Sequence, residues 1–219
     1  MLALPRSTEF NKRIPKQRFY ENLQITPALK KCFVEQIHSI TWRNKIAPTT
    51  VNLAEGKKVT ELQVFAIALN DGTLDEAVLK QIDREIPYHI LYLLEFDGKV
   101  QAWIGYKEEA GSGTAAFKVN QYYHTEWMAP EELPLSLEGL DMDSVYENLV
   151  KQIAGEVLES NEPEISLQEA YAKSVQREKL VKQIDALEKK AWNEKQPRKK
   201  MELAQQIQVL KKELEEMGL

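Results

Sequence analysis

The sequence has little cysteine: Cys32 stands alone among 219 residues, which excludes an internal disulfide framework and any zinc site built from several thiolates. Nine glycines and nine prolines are too few for a collagen-like or low-complexity chain. No long apolar run occurs. The longest uninterrupted stretch, Val64 to Leu69, is far below the roughly 18 residues that cross a bilayer, and the N-terminus lacks an apolar signal core. A cytoplasmic location, with no membrane partner, is therefore expected. A Walker-type loop and a dinucleotide fingerprint are also missing, because the only close glycines, Gly111 and Gly113, fall between two strand-like runs and do not open a helix. No Ser or Cys sits in a nucleophile elbow, and the three histidines, His38, His89 and His124, lack the spacing of a helical metal site. Nothing in the sequence calls for a metal or other cofactor.

What is present is enough apolar material for one core, 43% of residues, together with 29% charged residues. The formal net charge of −5 conceals an uneven distribution. Residues 1–58 carry +7, residues 59–163 carry −14 and residues 164–219 carry +2. A basic head on an acidic body suits either an electropositive surface for nucleic acid or attraction between the two segments.

Hydrophobic periodicity organises the chain. Leu29, Phe33, Val34 and Ile37 recur at helical spacing behind a Thr26 N-cap and Pro27 at the first helical position. Residues 40–46 favour a strand, and 60–69 alternate and then become continuously apolar, as a central strand does. Leu74, Val78, Leu79 and Ile82 return to helical spacing before Pro87. Tyr88–Phe96 and Lys99–Tyr106 flank Asp97–Gly98, the pattern of a hairpin with a type I′ turn. A further strand is expected over Ala115–His124 after a Gly111–Ser112–Gly113 turn, then an irregular acidic loop over 130–141 and a helix over Met142–Leu158. After Pro163, Leu180, Ile184, Leu187 and Ala191, and then Leu203, Ile207, Leu210, Leu214 and Met217, step by fours and threes as heptad seams. The break at Gln196–Pro197 predicts an antiparallel helical hairpin, with a kinked helix forming a dimer as the alternative. Arms this short are marginal without a partner.

Arg6, Lys12, Arg13, Lys16 and Arg18 interleave with Phe10, Phe19 and Tyr20, and Arg43 and Lys45 extend the pattern. Cations bind phosphates while aromatic faces stack on bases, so these seven basic residues are candidate DNA contacts; a solvated or partner-docking arm has the same composition. Glu61 with Glu95 and Asp97–Gly98–Lys99 at the hairpin is the nearest approach to a metal-dependent nuclease site. His89 and His124, beside Tyr88, Tyr123 and Trp127, suit acid–base work or, more commonly, hydrogen-bonded places in an aromatic cluster. The group Tyr88, Trp103, Tyr106, Tyr122 and Trp127 suits a core or a ligand pocket. Cys32 reads as a small core hydrophobe. Lys195, Arg198, Lys199 and Lys200 form a basic cluster at the expected hairpin tip.

Taken in order, LPRSTEFNKRIPKQRFYENL, WRNKIAPTTVNLA, REIPYHILYLLEFDGKVQAWIGYKE, FKVNQYYHTEW, LEGLDMDSVYENLVKQIAG and EKQPRKKMELAQQIQVLKKELEEM resemble a bacterial and archaeal family of unknown function over nearly the whole chain. The resemblance implies a neighbourhood of DNA methyltransferases and helicase-like proteins in restriction or antiphage islands, and it brings no catalytic residues with it. The fold expected is α+β: an antiparallel sheet of four or five strands with helices on one face, followed by a coiled-coil hairpin. Its parts are a basic arm (1–26), a globular domain (27–160) and the hairpin (164–219). The function expected is that of a non-catalytic subunit of a DNA restriction or antiphage complex. Leu180, Ile184, Leu187, Leu203, Ile207, Leu210 and Leu214 would dock a helicase or DNA methyltransferase, with the basic head near DNA. A degenerate restriction-type nuclease and a homodimeric scaffold without nucleic acid are the alternatives.

Overall fold

The computed structural model describes residues 4–21, 25–109, 117–158 and 165–217. The chain folds as two units, Met1–Ala154 and Gly155–Leu219. The Gly111–Ser112–Gly113 turn, Ala115 and Pro163 lie outside the described residues.

The first unit is built on six strands in the order of the sequence: β1 (Glu9–Ile14), β2 (Ile37–Ile46), β3 (Leu62–Leu69), β4 (His89–Phe96), β5 (Lys99–Glu109) and β6 (Phe117–His124). The sheet is mixed, with six strands where four or five antiparallel ones were expected. β3 and β4 run parallel, and every other neighbouring pair is antiparallel. The cause is α2 (Glu76–Glu85), which lies between β3 and β4 in sequence and returns the chain to the starting end of the sheet, as a strand–helix–strand crossover must. The sixth strand comes from the N-terminal segment. Residues 9–14 are no free arm, because Lys12, Arg13 and Ile14 pair with Trp42, Thr41 and Ile40, and Phe19 and Tyr20 enter the core.

Local chemistry accounts for the element ends. The helix α1 (Pro27–Glu35) starts with Pro27 at its first position and with the Thr26 hydroxyl accepting from the Leu29 N–H at 3.2 Å. The α2 N-cap is Asp75, which accepts from Ala77 N–H at 2.9 Å. The β4–β5 turn has φ of 48° at Asp97 and 72° at Gly98, the left-handed pair a type I′ hairpin requires.

Helices flank the sheet on two sides, where the sequence suggested one. On the first face Phe65, Ile67, Tyr92 and Leu94 meet Phe33 of α1 and Val78, Leu79 and Ile82 of α2. On the second, Val64, Leu91, Leu93, Ala102 and Ile104 are equally buried. There α3 (Met142–Ala154) packs on β5 and β6, and its Tyr146 ring lies 4.3 Å from His89, which shares a face with Leu91 and Leu93. Burial on both faces is why β3 and β4 read as continuous apolar runs and not as alternating ones.

The second unit contains α4 (Leu167–Asn193) and α5 (Pro197–Glu216). The first opens with a reciprocal cap: Ser166 Oγ accepts from Glu169 N–H at 3.3 Å while Glu169 accepts from Ser166 N–H at 3.1 Å. Pro197 occupies the first helical position of α5. An ion pair of 2.8 Å between Lys211 and Glu188 closes the hairpin within one chain, so the kinked single helix is not the arrangement formed. Among the described residues no helix is long and apolar enough to cross a membrane.

Candidate functional site

The seven basic candidates divide by what each already holds. Lys16 is committed to the fold: its ammonium donates to the carbonyls of Val34 at 3.0 Å and Ile37 at 2.6 Å, closing the C-terminal end of α1. Burial lowers its pKa. Lys45 pairs with Glu61 at 2.6 Å, and Arg43 lies 3.7 Å from Glu95. Arg6, Lys12, Arg13 and Arg18 are exposed. Lys12 sits 4.4 Å from the centre of the Phe10 ring, and Phe10 lies 4.1 Å from Trp42, so the aromatic faces expected to stack on bases are largely turned to one another. What β1 and the short turns on either side of it offer is an exposed cationic sheet edge, Lys12 and Arg13 on the strand and Arg6 and Arg18 beside it, with its aromatics already packed.

The two carboxylates of the nuclease alternative do not converge. Glu61 immediately precedes β3, bonded to Lys45 and to the Gln63 amide at 2.9 Å. The parallel register sets Glu95 beside Ala68, seven positions further along. That spacing is about 23 Å of extended chain, with the two side chains on opposite faces of the sheet. Among the described residues no group of three or more His, Cys, Asp and Glu is placed to hold a metal ion.

Two of the three histidines pack on aromatic rings, and His38 is exposed. His89 lies between the rings of Tyr146 and Phe117, at 4.3 and 4.7 Å, and burial, with the charge of Lys107 adding to it, holds its pKa down to about 3. Its imidazole is neutral at any ordinary pH. His124 stacks on Trp103 at 4.4 Å, on the other face of the sheet, so the two histidines do not meet. The five candidate pocket aromatics do not form one group: Tyr122, Trp103 and Trp127 join the first-face core, Tyr106 is buried outside that cluster and Tyr88 is exposed. Cys32 packs against that core with its thiol 4.0 Å from Asp75.

The most densely charged feature of the interior was not singled out from the sequence. Asp83 of α2 and Lys107 of β5 form an ion pair of 2.7 Å with both side chains 1% exposed. The Asp83 carboxylate also accepts from the hydroxyls of Tyr92, at 2.9 Å, and Tyr122. Lys107 donates in addition to the Tyr88 carbonyl at 2.7 Å, and its backbone N–H meets the Tyr146 hydroxyl at 2.9 Å. Burial and the Asp83 charge raise the pKa of both Tyr92 and Tyr122, so the two phenols stay protonated donors. The partners come from α2, β4 and the residue before it, β5, β6 and α3. This is a satisfied network that locks α2 onto β4, β5 and β6, closed to any substrate.

An open cleft of about 380 Å³ lies at the C-terminal ends of β3 and β4, with Ala68, Leu93 and Leu133 as floor and Arg43, Glu95 and Lys99 at the rim. Crevices beyond the carboxyl ends of parallel strands are where open α/β sheets commonly take ligands. Its only sequence signal would have been the strand–helix–strand order around α2.

On the hairpin, Leu180 and Ile184 are buried while Leu187, Leu203, Ile207, Leu210 and Leu214 are half-buried. All seven predicted seam residues therefore lie toward the helix–helix interface, and α5 has no fully buried residue along its length. No curated protein and no solved structure matches the chain. Residues 2–214 match a domain of unknown function, DUF4391. A match running through both units, from before the edge strand into the last turn of α5, makes this chain a member of the DUF4391 family.

Proposed function

We propose that this protein is a non-catalytic accessory subunit of a bacterial DNA restriction or antiphage complex. The helical hairpin docks a helicase or DNA methyltransferase, and the cationic edge of β1 lies beside DNA. The observation that supports this reading best is the seam of α5. Leu203, Ile207, Leu210 and Leu214 repeat with coiled-coil spacing, yet none is fully buried and each keeps part of its surface open. A two-helix pair leaves a groove along such a seam, and a third helix fills it. The partner class follows from the genomic neighbourhood implied by the resemblance. Arg6, Arg13 and Arg18 supply the DNA-proximal charge, since Lys16 is spent on α1.

The test is co-purification of the full chain with the helicase or methyltransferase encoded beside it. Ile207→Asp with Leu210→Asp should abolish association, with circular dichroism separating lost docking from lost helix. Retained association by that variant refutes the docking role. A solution mass of two chains in the absence of any partner favours the homodimeric scaffold instead. In the same preparation, Arg6→Ala, Arg13→Ala and Arg18→Ala together should flatten the salt dependence of duplex DNA binding by about three units of slope.

A further inference from the structure

The tip of the hairpin carries a feature that the docking seam does not use. Trp192, in the last turn of α4, is 85% exposed, while Trp42, Trp103 and Trp127 are all half-buried. An indole left in water is unusual, because burial of so large an apolar surface stabilises a fold more than almost any other side chain does. Around it the charge is one-sided. Residues 189–200 hold Lys189, Lys190, Lys195, Arg198, Lys199 and Lys200 against the single acidic Glu194. Glu188 and Glu202, which flank this stretch, are engaged by Lys211 at 2.8 Å and by Arg198 at 3.5 Å. Lys189 is three positions before Trp192 on α4, so the two residues share one face of the helix.

We propose that the hairpin tip, Trp192 with the lysines of residues 189–200, is a binding site for single-stranded nucleic acid, in which the indole stacks on an unpaired base and the ammonium groups follow the phosphates. Three properties favour this occupant. The ring is free on a polar tip, as a stacking platform requires. The cations are mainly lysines, point charges that neutralise a backbone without reading bases. The residues between Trp192 and Met201 include no other aromatic and no Leu, Ile or Val, which is too little apolar surface to anchor the tip in a membrane. An acidic protein would satisfy the lysines and leave the indole without a role. The site stands on residues distinct from the β1 edge and from the α5 seam, so it holds or fails independently of the function proposed above.

The experiment uses the full chain and a fluorescein-labelled oligothymidylate of about twenty nucleotides, read by anisotropy and by quenching of the intrinsic tryptophan signal. The wild-type protein should bind, with quenching. Trp192→Ala should weaken binding about tenfold and remove most of the quench, because loss of one stacked base is worth roughly that factor. Lys195→Ala, Lys199→Ala and Lys200→Ala together should flatten the salt slope by about two units. Arg6→Ala, Arg13→Ala and Arg18→Ala should leave the Trp192-dependent quench in place, which separates this site from the β1 edge. No binding by the wild type, or equal binding by Trp192→Ala, overturns the proposal. So does polyglutamate competing as well as unlabelled oligothymidylate, an outcome that assigns the tip to an acidic protein.

Discussion

Cutting the buried ion pair between Asp83 and Lys107 should destabilise the first unit more than any surface change. Both side chains are 1% exposed and their charged atoms stand 2.7 Å apart, so neither charge has water to fall back on when its partner is removed. Removing one member of such a pair costs about 3–5 kcal/mol, whereas removing both charges together is often close to neutral. Asp83→Asn leaves the buried Lys107 ammonium with neutral partners only, the Tyr88 carbonyl and the Phe117 ring among them, and no counter-charge, so it should cost the full amount. Lys107→Met should cost less, because the Asp83 carboxylate keeps the hydroxyls of Tyr92 and Tyr122. In the double variant the amide oxygen at position 83 still accepts from a tyrosine and no charge is stranded, so the combined cost should fall below the sum by about 2 kcal/mol or more. Urea denaturation of the three variants and the wild type, followed by tryptophan fluorescence, measures this coupling directly. If the single costs add to within about 0.5 kcal/mol, the two groups are independent and the network does not lock α2 to the sheet.

Two further outcomes follow from polar side chains of the first unit. His89 is neutral in the folded state, with a pKa of about 3 against an ordinary 6.5, so between those values the unfolded chain binds a proton that the folded chain does not. Its contribution is complete above pH 6.5 and declines as pH falls, by about 2 kcal/mol at pH 5. His89→Leu should remove that part of the difference between pH 7 and pH 5, and an unchanged pH dependence of urea denaturation would refute the assignment. Asp143 of α3 accepts from the backbone N–H groups of Lys57, Lys58 and Val59 at 2.8, 3.0 and 2.7 Å, which ties the β2–β3 loop to that helix. Asp143→Asn should cost about 1.5–3 kcal/mol and raise amide exchange at residues 57–59; protection equal to wild type would show that the loop holds without it.

Much of this architecture was legible because it is local. The Thr26–Pro27 pair announces the start of α1 through one cap and one missing N–H. Asp97–Gly98 specifies its turn through two positive φ values. The seam from Leu180 to Leu214 announces two helices through spacing, and the break at Gln196–Pro197 announces the turn between them. The edge strand β1 was hidden because EFNKRI has too little alternation to read as a strand; it is held there by pairing with β2 and by Phe10 against Trp42. The charged residues of the N-terminal segment looked equivalent in sequence, yet Lys16 turns to the carbonyls at the end of α1 while Arg13 faces solvent.

What the sequence determined by itself is therefore whatever depends on neighbours within a few positions: caps, turns, helical stripes and the division of charge. What only the tertiary structure decided is which distant groups meet. The parallel pairing of β3 and β4 separates Glu61 from Glu95, and the crossover through α2 brings Asp83 to Lys107, 24 residues away in sequence. Periodicity says which residues leave water, but a buried charge can persist only where the fold supplies its partner, and that partner is chosen by topology.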